Sequence, residues 1–112
     1  MTLYHQQIGF PSTFRRPVGS FATSPTHHAT ARAEEYGITI PERINLNDYS
    51  IVEIEMIAGR LVKIVIRGEY DNYDDICMAI VPNRGVMLIK TVWLNAWDDT
   101  HNTLDTSKYG RP

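Results

Sequence analysis

His28 and Arg32 stand four residues apart in the run His27-His28-Ala29-Thr30-Ala31-Arg32-Ala33-Glu34-Glu35-Tyr36-Gly37-Ile38. Residues four apart on a helix are neighbours on one face. An imidazole that titrates near neutrality and a permanently charged guanidinium would therefore converge on one ligand, and a phosphate suits both. His27 is turned about 100° away by the helical step and is the weaker partner.

Two further groupings could carry chemistry. Asp98-Asp99-Thr100-His101, together with Asp71, Asp74 and Asp75, offers carboxylates and an imidazole to a divalent cation. That spacing matches no closed ligand motif, and a solvated acidic loop accounts for it, so we expect neither a metal site nor a cofactor. Trp93 and Trp97 lie four apart, and with Tyr70, Tyr73 and Tyr109 they offer rings on which unpaired bases could stack. Trp93 falls inside an apolar strand and is expected in the core, which leaves Trp97 as the exposed candidate. The chain contains no Gly-x-Gly-x-x-Gly, no P-loop, no Cys-x-x-Cys pair and no nucleophile elbow.

The elements that must position these groups belong to one domain. A chain of 112 residues, with 43% hydrophobic and 21% charged residues, can bury one core but not two. Its formal charge is −2, from 11 basic and 13 acidic residues, so no overall basic field draws nucleic acid and any RNA contact must be local. Cys77 is the single cysteine, lies in an apolar run and reads as a core residue of a reducing compartment. No apolar run approaches the ~18 residues that span a membrane, and the first residues lack the charged and apolar regions of a signal peptide. We expect a cytoplasmic protein that engages no membrane.

Residues 1–23, with Pro11, Pro17, Gly9, Gly19 and the pair Arg15-Arg16, read as an extended arm. Its aromatic residues Tyr4, Phe10, Phe14 and Phe21 would pack on the body or on another subunit. Residues 24–112 form the domain. Ser24-Pro25 resembles a helix start, with the hydroxyl as N-cap and proline at the first helical position. Gly37 is the stop, and Ile38 supplies the apolar contact beyond it. The helix should cover residues 25–36, with Ala29, Ala33 and Tyr36 as its apolar stripe. A second short helix is expected in Pro41-Glu42-Arg43-Ile44.

From Ile51 the period becomes two. Val52 to Met56 alternates apolar and acidic residues, as a strand with one wet face does. Leu61 to Arg67 repeats the pattern with Lys63 and Arg67 outward and Val62, Ile64 and Ile66 inward. Ala58-Gly59-Arg60 makes the turn between them. Ile76 to Val81 reads as a buried strand, Pro82-Asn83-Arg84-Gly85 as a tight turn, and Val86 to Leu94 as the longest strand. The fold class expected is α+β, with one or two N-terminal helices packed on a curved four-stranded antiparallel sheet.

The run His28-Ala29-x-x-Arg32-x-x-x-Tyr36-Gly37-Ile38 resembles the His-Ala-x-x-Arg-x-x-x-Arg-Gly-Ile helix signature of small RelE-like toxin domains, within the barnase, EndoU, colicin and RelE grouping called the BECR fold. The tail Thr91-Val92-Trp93-Leu94-Asn95, then Asp99-Thr100-His101-x-x-Leu104-Asp105-x-Ser107-x-Tyr109, is similar to the last strand and closing segment of bacterial and phage-encoded members. The resemblance covers residues 24–109. It implies a metal-independent endoribonuclease in which a 2′-hydroxyl attacks the adjacent phosphate. Such an enzyme needs a base, an acid and cations around the phosphorane. The resemblance makes His28 and His101 the base and the acid, in either order, and Arg32 and Arg67 the phosphate clamps. Lys63, Lys90, Thr91, Thr103, Tyr109 and Trp97 would bind substrate. It further implies RNA as the partner, tRNA or ribosome-associated mRNA among the candidates, and a neutralising antitoxin or immunity protein. Tyr36 stands where the pattern has a second arginine. The alternative is a non-catalytic phage or mobile-element protein on the same scaffold that binds and inhibits a host factor.

Overall fold

Alternating and continuously apolar segments in the second half of the chain build four long strands joined by short turns, and shorter strands from the first half extend the sheet on both sides. The computed structural model of the protein describes residues 2–6 and 9–99. In chain order the elements are β1 (Thr2–His5), β2 (Ser20–Pro25), α1 (His27–Tyr36), β3 (Arg43–Asn45), a 3₁₀ turn (Leu46–Asp48), β4 (Ser50–Ile57), β5 (Arg60–Glu69), β6 (Asp74–Asn83) and β7 (Val86–Ala96). They form one seven-stranded mixed sheet in the order β1-β4-β5-β6-β7-β2-β3, in which only β2 and β7 run parallel.

The meander β4-β5-β6-β7 is antiparallel throughout, as the sequence pattern requires. Its first and last hairpins close on two residues with positive φ, Ala58-Gly59 at 52° and 78° and Arg84-Gly85 at 53° and 84°. Two consecutive positive φ angles match the right-handed twist of the flanking strands. Ile54, Ile64, Ile66, Met78, Ile80 and Val92 are buried in the main core with Ala29, Ala33, Ile44 and Leu46. Val52, Val65, Cys77, Ala79 and Trp93 form a second buried cluster. The register puts Val65 opposite Ala79 and Cys77 opposite Trp93, out of step with the first set, so the two clusters occupy opposite faces.

This architecture corrects the expected one. The protein is mostly sheet, with seven strands in place of four, and α1 is the only α-helix among the described residues. Ser24-Pro25 ends β2 and does not start the helix, because the residue before a proline is pushed to extended backbone. Thr26 takes the N-cap, its Oγ1 accepting from the Ala29 amide at 3.1 Å. The expected second helix at Pro41 is β3, where buried Ile44 alternates with exposed Arg43 and Asn45. Thr2–His5, read as part of an arm, pairs antiparallel with β4. Gly37 closes α1 as expected, at φ 68°, and its amide and that of Ile38 both donate to the Ala33 carbonyl. No helix among the described residues is long and apolar enough to cross a membrane.

Candidate functional site

Thr26 fixes the start of α1 against β7. Its amide donates to the Ile89 carbonyl at 3.0 Å and its hydroxyl to the Lys90 carbonyl at 3.3 Å. β2 pairs with β7 only as far as Ile89, and α1 then continues alongside β7. Ala29 and Ala33 turn into the main core, small enough to let the helix lie close. The positions one residue earlier, His28 and Arg32, and Tyr36 a turn further on, form the neighbouring stripe.

Across the sheet, one row of side chains runs His5, Glu53, Val65, Ala79, Thr91 from β1 through β4, β5 and β6 to β7. Above it opens a cavity of about 410 Å³ lined by Leu3, His28, Glu53, Glu55, Val62, Lys63, Val65, Ala79, Val81, Lys90 and Thr91. Val62, Val65, Ala79 and Val81 make much of its surface apolar, and around them it carries one imidazole, two ammonium groups and two carboxylates. Two of the lining residues are the extra residues of β-bulges. Lys90 falls between the pairs Ala79 with Thr91 and Ile80 with Ile89, and Val62 between Glu55 with Lys63 and Met56 with Leu61. A bulge re-aims the side chain it carries. This is why Val62, expected inward with Ile64 and Ile66, lines the cavity on the opposite face.

Lys63 lies 3.9 Å from Glu55, its cross-strand partner, a loose contact that leaves both groups able to meet a ligand. Lys90 is exposed and makes no ion pair among the described residues. Thr91 is 9% exposed, and its Oγ1 is buried without a hydrogen-bond partner among the described residues. An unsatisfied buried hydroxyl costs about 1 to 3 kcal/mol, which a ligand able to hydrogen-bond would recover. Glu53 is 1% exposed, a correction to its expected place on a wet face: β1 adds itself outside β4 and sets His5 directly opposite it.

The structure therefore brings His28, Lys63, Lys90 and Thr91 together, and it distributes the remaining candidates elsewhere. Arg32 lines a neighbouring cavity with Tyr36, Ile38, Trp93 and Leu94. Its guanidinium stacks 4.9 Å from the Tyr36 ring centre. Arg67 belongs to a third, acidic cavity that also includes Asp75, Trp97, Asp98 and Asp99. There its Nε donates to Asp75 at 2.8 Å and its Nη2 to the Ala96 carbonyl at 3.0 Å, so the fold engages its head group at two points. Trp97 is exposed and Trp93 buried, as the strand pattern indicated. Asp71 accepts from the Tyr73 and Asp74 amides, which gives it a turn-forming role. His101, Thr103 and Tyr109 lie outside the described residues.

The sequence reading assigned the carboxylates Glu53 and Glu55 no role in a site. The signal was present in the alternation, which puts both on the face that carries Lys63. Cys77 is fully buried, and burial pushes its thiol up to about 12, so it stays protonated and unreactive at neutral pH. In comparisons with known proteins, the chain matches no family model, no curated protein and no solved structure.

Proposed function

We propose that the cavity over the His5 to Thr91 row is an RNA-binding active site, and that the protein is a metal-independent endoribonuclease of RelE-like character. The observation that carries this reading is the convergence of His28, Lys63, Lys90 and Thr91, drawn from α1, β5 and β7, on one cavity with an unsatisfied buried hydroxyl. A base removes the proton of a 2′-hydroxyl, the 2′-oxygen attacks the adjacent phosphorus, and the bond to the 5′-oxygen breaks as an acid protonates it. The products are a 2′,3′-cyclic phosphate and a 5′-hydroxyl. His28 is one of the two proton carriers, since an imidazole can both accept and donate a proton. His101 is the other by resemblance, and Glu55 is the carboxylate within the cavity able to replace it. Lys63, Lys90 and the Thr91 hydroxyl stabilise the charge that builds on the phosphate oxygens.

The resemblance further supports a cytoplasmic toxin of phage or mobile-element origin, with tRNA or ribosome-associated mRNA as substrate and an antitoxin or immunity protein as partner. Incubating the purified protein with single-stranded RNA in excess chelator tests the reaction. Cyclic-phosphate ends and resistance of a 2′-deoxy substrate are expected, and cleavage of 2′-deoxy nucleotides would contradict it. A second reading, that the cavity binds without cutting and the protein inhibits a host factor, is favoured by the two carboxylates in the cavity walls. RNA affinity without cleavage under the same conditions would select it.

A further inference from the structure

The cavity between α1 and the end of β7 contains a guanidinium and phenol stack that the proposed proton chemistry does not use. It measures about 340 Å³ and is lined by Arg32, Tyr36, Ile38, Trp93 and Leu94. Arg32 covers the Tyr36 ring, Tyr36 is itself 56% exposed, and the Arg32 Nε is buried without a hydrogen-bond partner among the described residues. This second cavity lies one step along α1 and β7, two of the elements that build the first. His28 to Arg32 is one helical turn, about 6 Å of rise, and Thr91 to Trp93 is two residues on one face of a strand, about 6.6 Å.

We infer that this cavity is a stacking subsite for the nucleobase that neighbours the phosphate held at His28, which makes the preferred substrate a single strand with an unpaired base at that position. The inference rests on the RNA reading above. Planar rings and guanidinium groups accept any base on its π-face, while a paired base in a duplex would remain stacked on its neighbours and out of reach. Tyr36, which departs from the family pattern by removing a cation, supplies a ring in its place.

The test uses 2′-O-methyl trinucleotides, which cannot be cleaved, either complete or with an abasic residue at one end or the other. Their affinities are measured by competition against a labelled single strand. The complete probe should bind about tenfold tighter than one of the two abasic forms. Tyr36→Ala should erase that difference while leaving the weaker abasic probe unaffected, and Tyr36→Phe should preserve it. Equal affinities for all three probes would overturn the subsite and leave the RNA reading standing. No binding of any probe would overturn both.

Discussion

Arg67 and Lys90 both border the face of the sheet that carries Val65, Ala79 and Trp93, yet their surroundings are opposite in kind. Arg67 is held by Asp75 at 2.8 Å and by the Ala96 carbonyl at 3.0 Å, and it joins β5, β6 and the end of β7. Lys90 is thrown outward by a bulge next to a hydroxyl that the fold leaves unsatisfied. One end of the face spends its polar groups on holding strands together. The other leaves them uncommitted beside an apolar floor, open to a hydrogen-bonding ligand. A cation is therefore better judged as a ligand group by what already engages it than by its charge.

Removing the engaged cation gives the largest expected effect on the fold. Arg67→Met strands Asp75 on a partly buried strand pair and should lower unfolding free energy by about 2 kcal/mol in a denaturant titration. Cleavage per folded molecule should change by less than about threefold. A hundredfold loss of activity with unchanged stability would return Arg67 to the phosphate and dissolve the contrast between the two ends. The uncommitted end should respond in the reverse sense. Thr91→Val removes the unpaired hydroxyl, keeps the shape and favours the strand, so stability should rise by about 1 kcal/mol while RNA affinity falls. A loss of stability in Thr91→Val would mean that the hydroxyl is already satisfied.

The four-strand meander and both of its closing turns were legible in the sequence because Val52 to Met56 alternates, Ile76 to Val81 and Val86 to Leu94 are apolar runs of strand length, and each turn carries glycine. The three short strands were not. Thr2–His5 and Arg43–Asn45 are too brief to show a period, and Ser24-Pro25 satisfies two local rules at once, helix start and extended dipeptide. What decided between them was the free edge of β7, a tertiary partner that no local window contains. The site was legible in parts. His28, Lys63, Lys90 and Thr91 could each be chosen for their chemistry, but not their company. Bulges at Val62 and Lys90 set that company, and a bulge shifts register without a composition signal. Glu53 was misread because its burial depends on β1.

The central claim is that the cavity at His28 performs the chemistry. Its most direct test is the rate of single-stranded RNA cleavage by His28→Ala beside the parent protein, with growth of expressing cells as the counterpart in vivo. His28 is exposed in the first turn of α1, so the variant should unfold at the same temperature as the parent. Its cleavage rate should fall by about 10² to 10⁴-fold and growth should recover. Equal cleavage, or equal toxicity, by a folded His28→Ala protein would contradict the account.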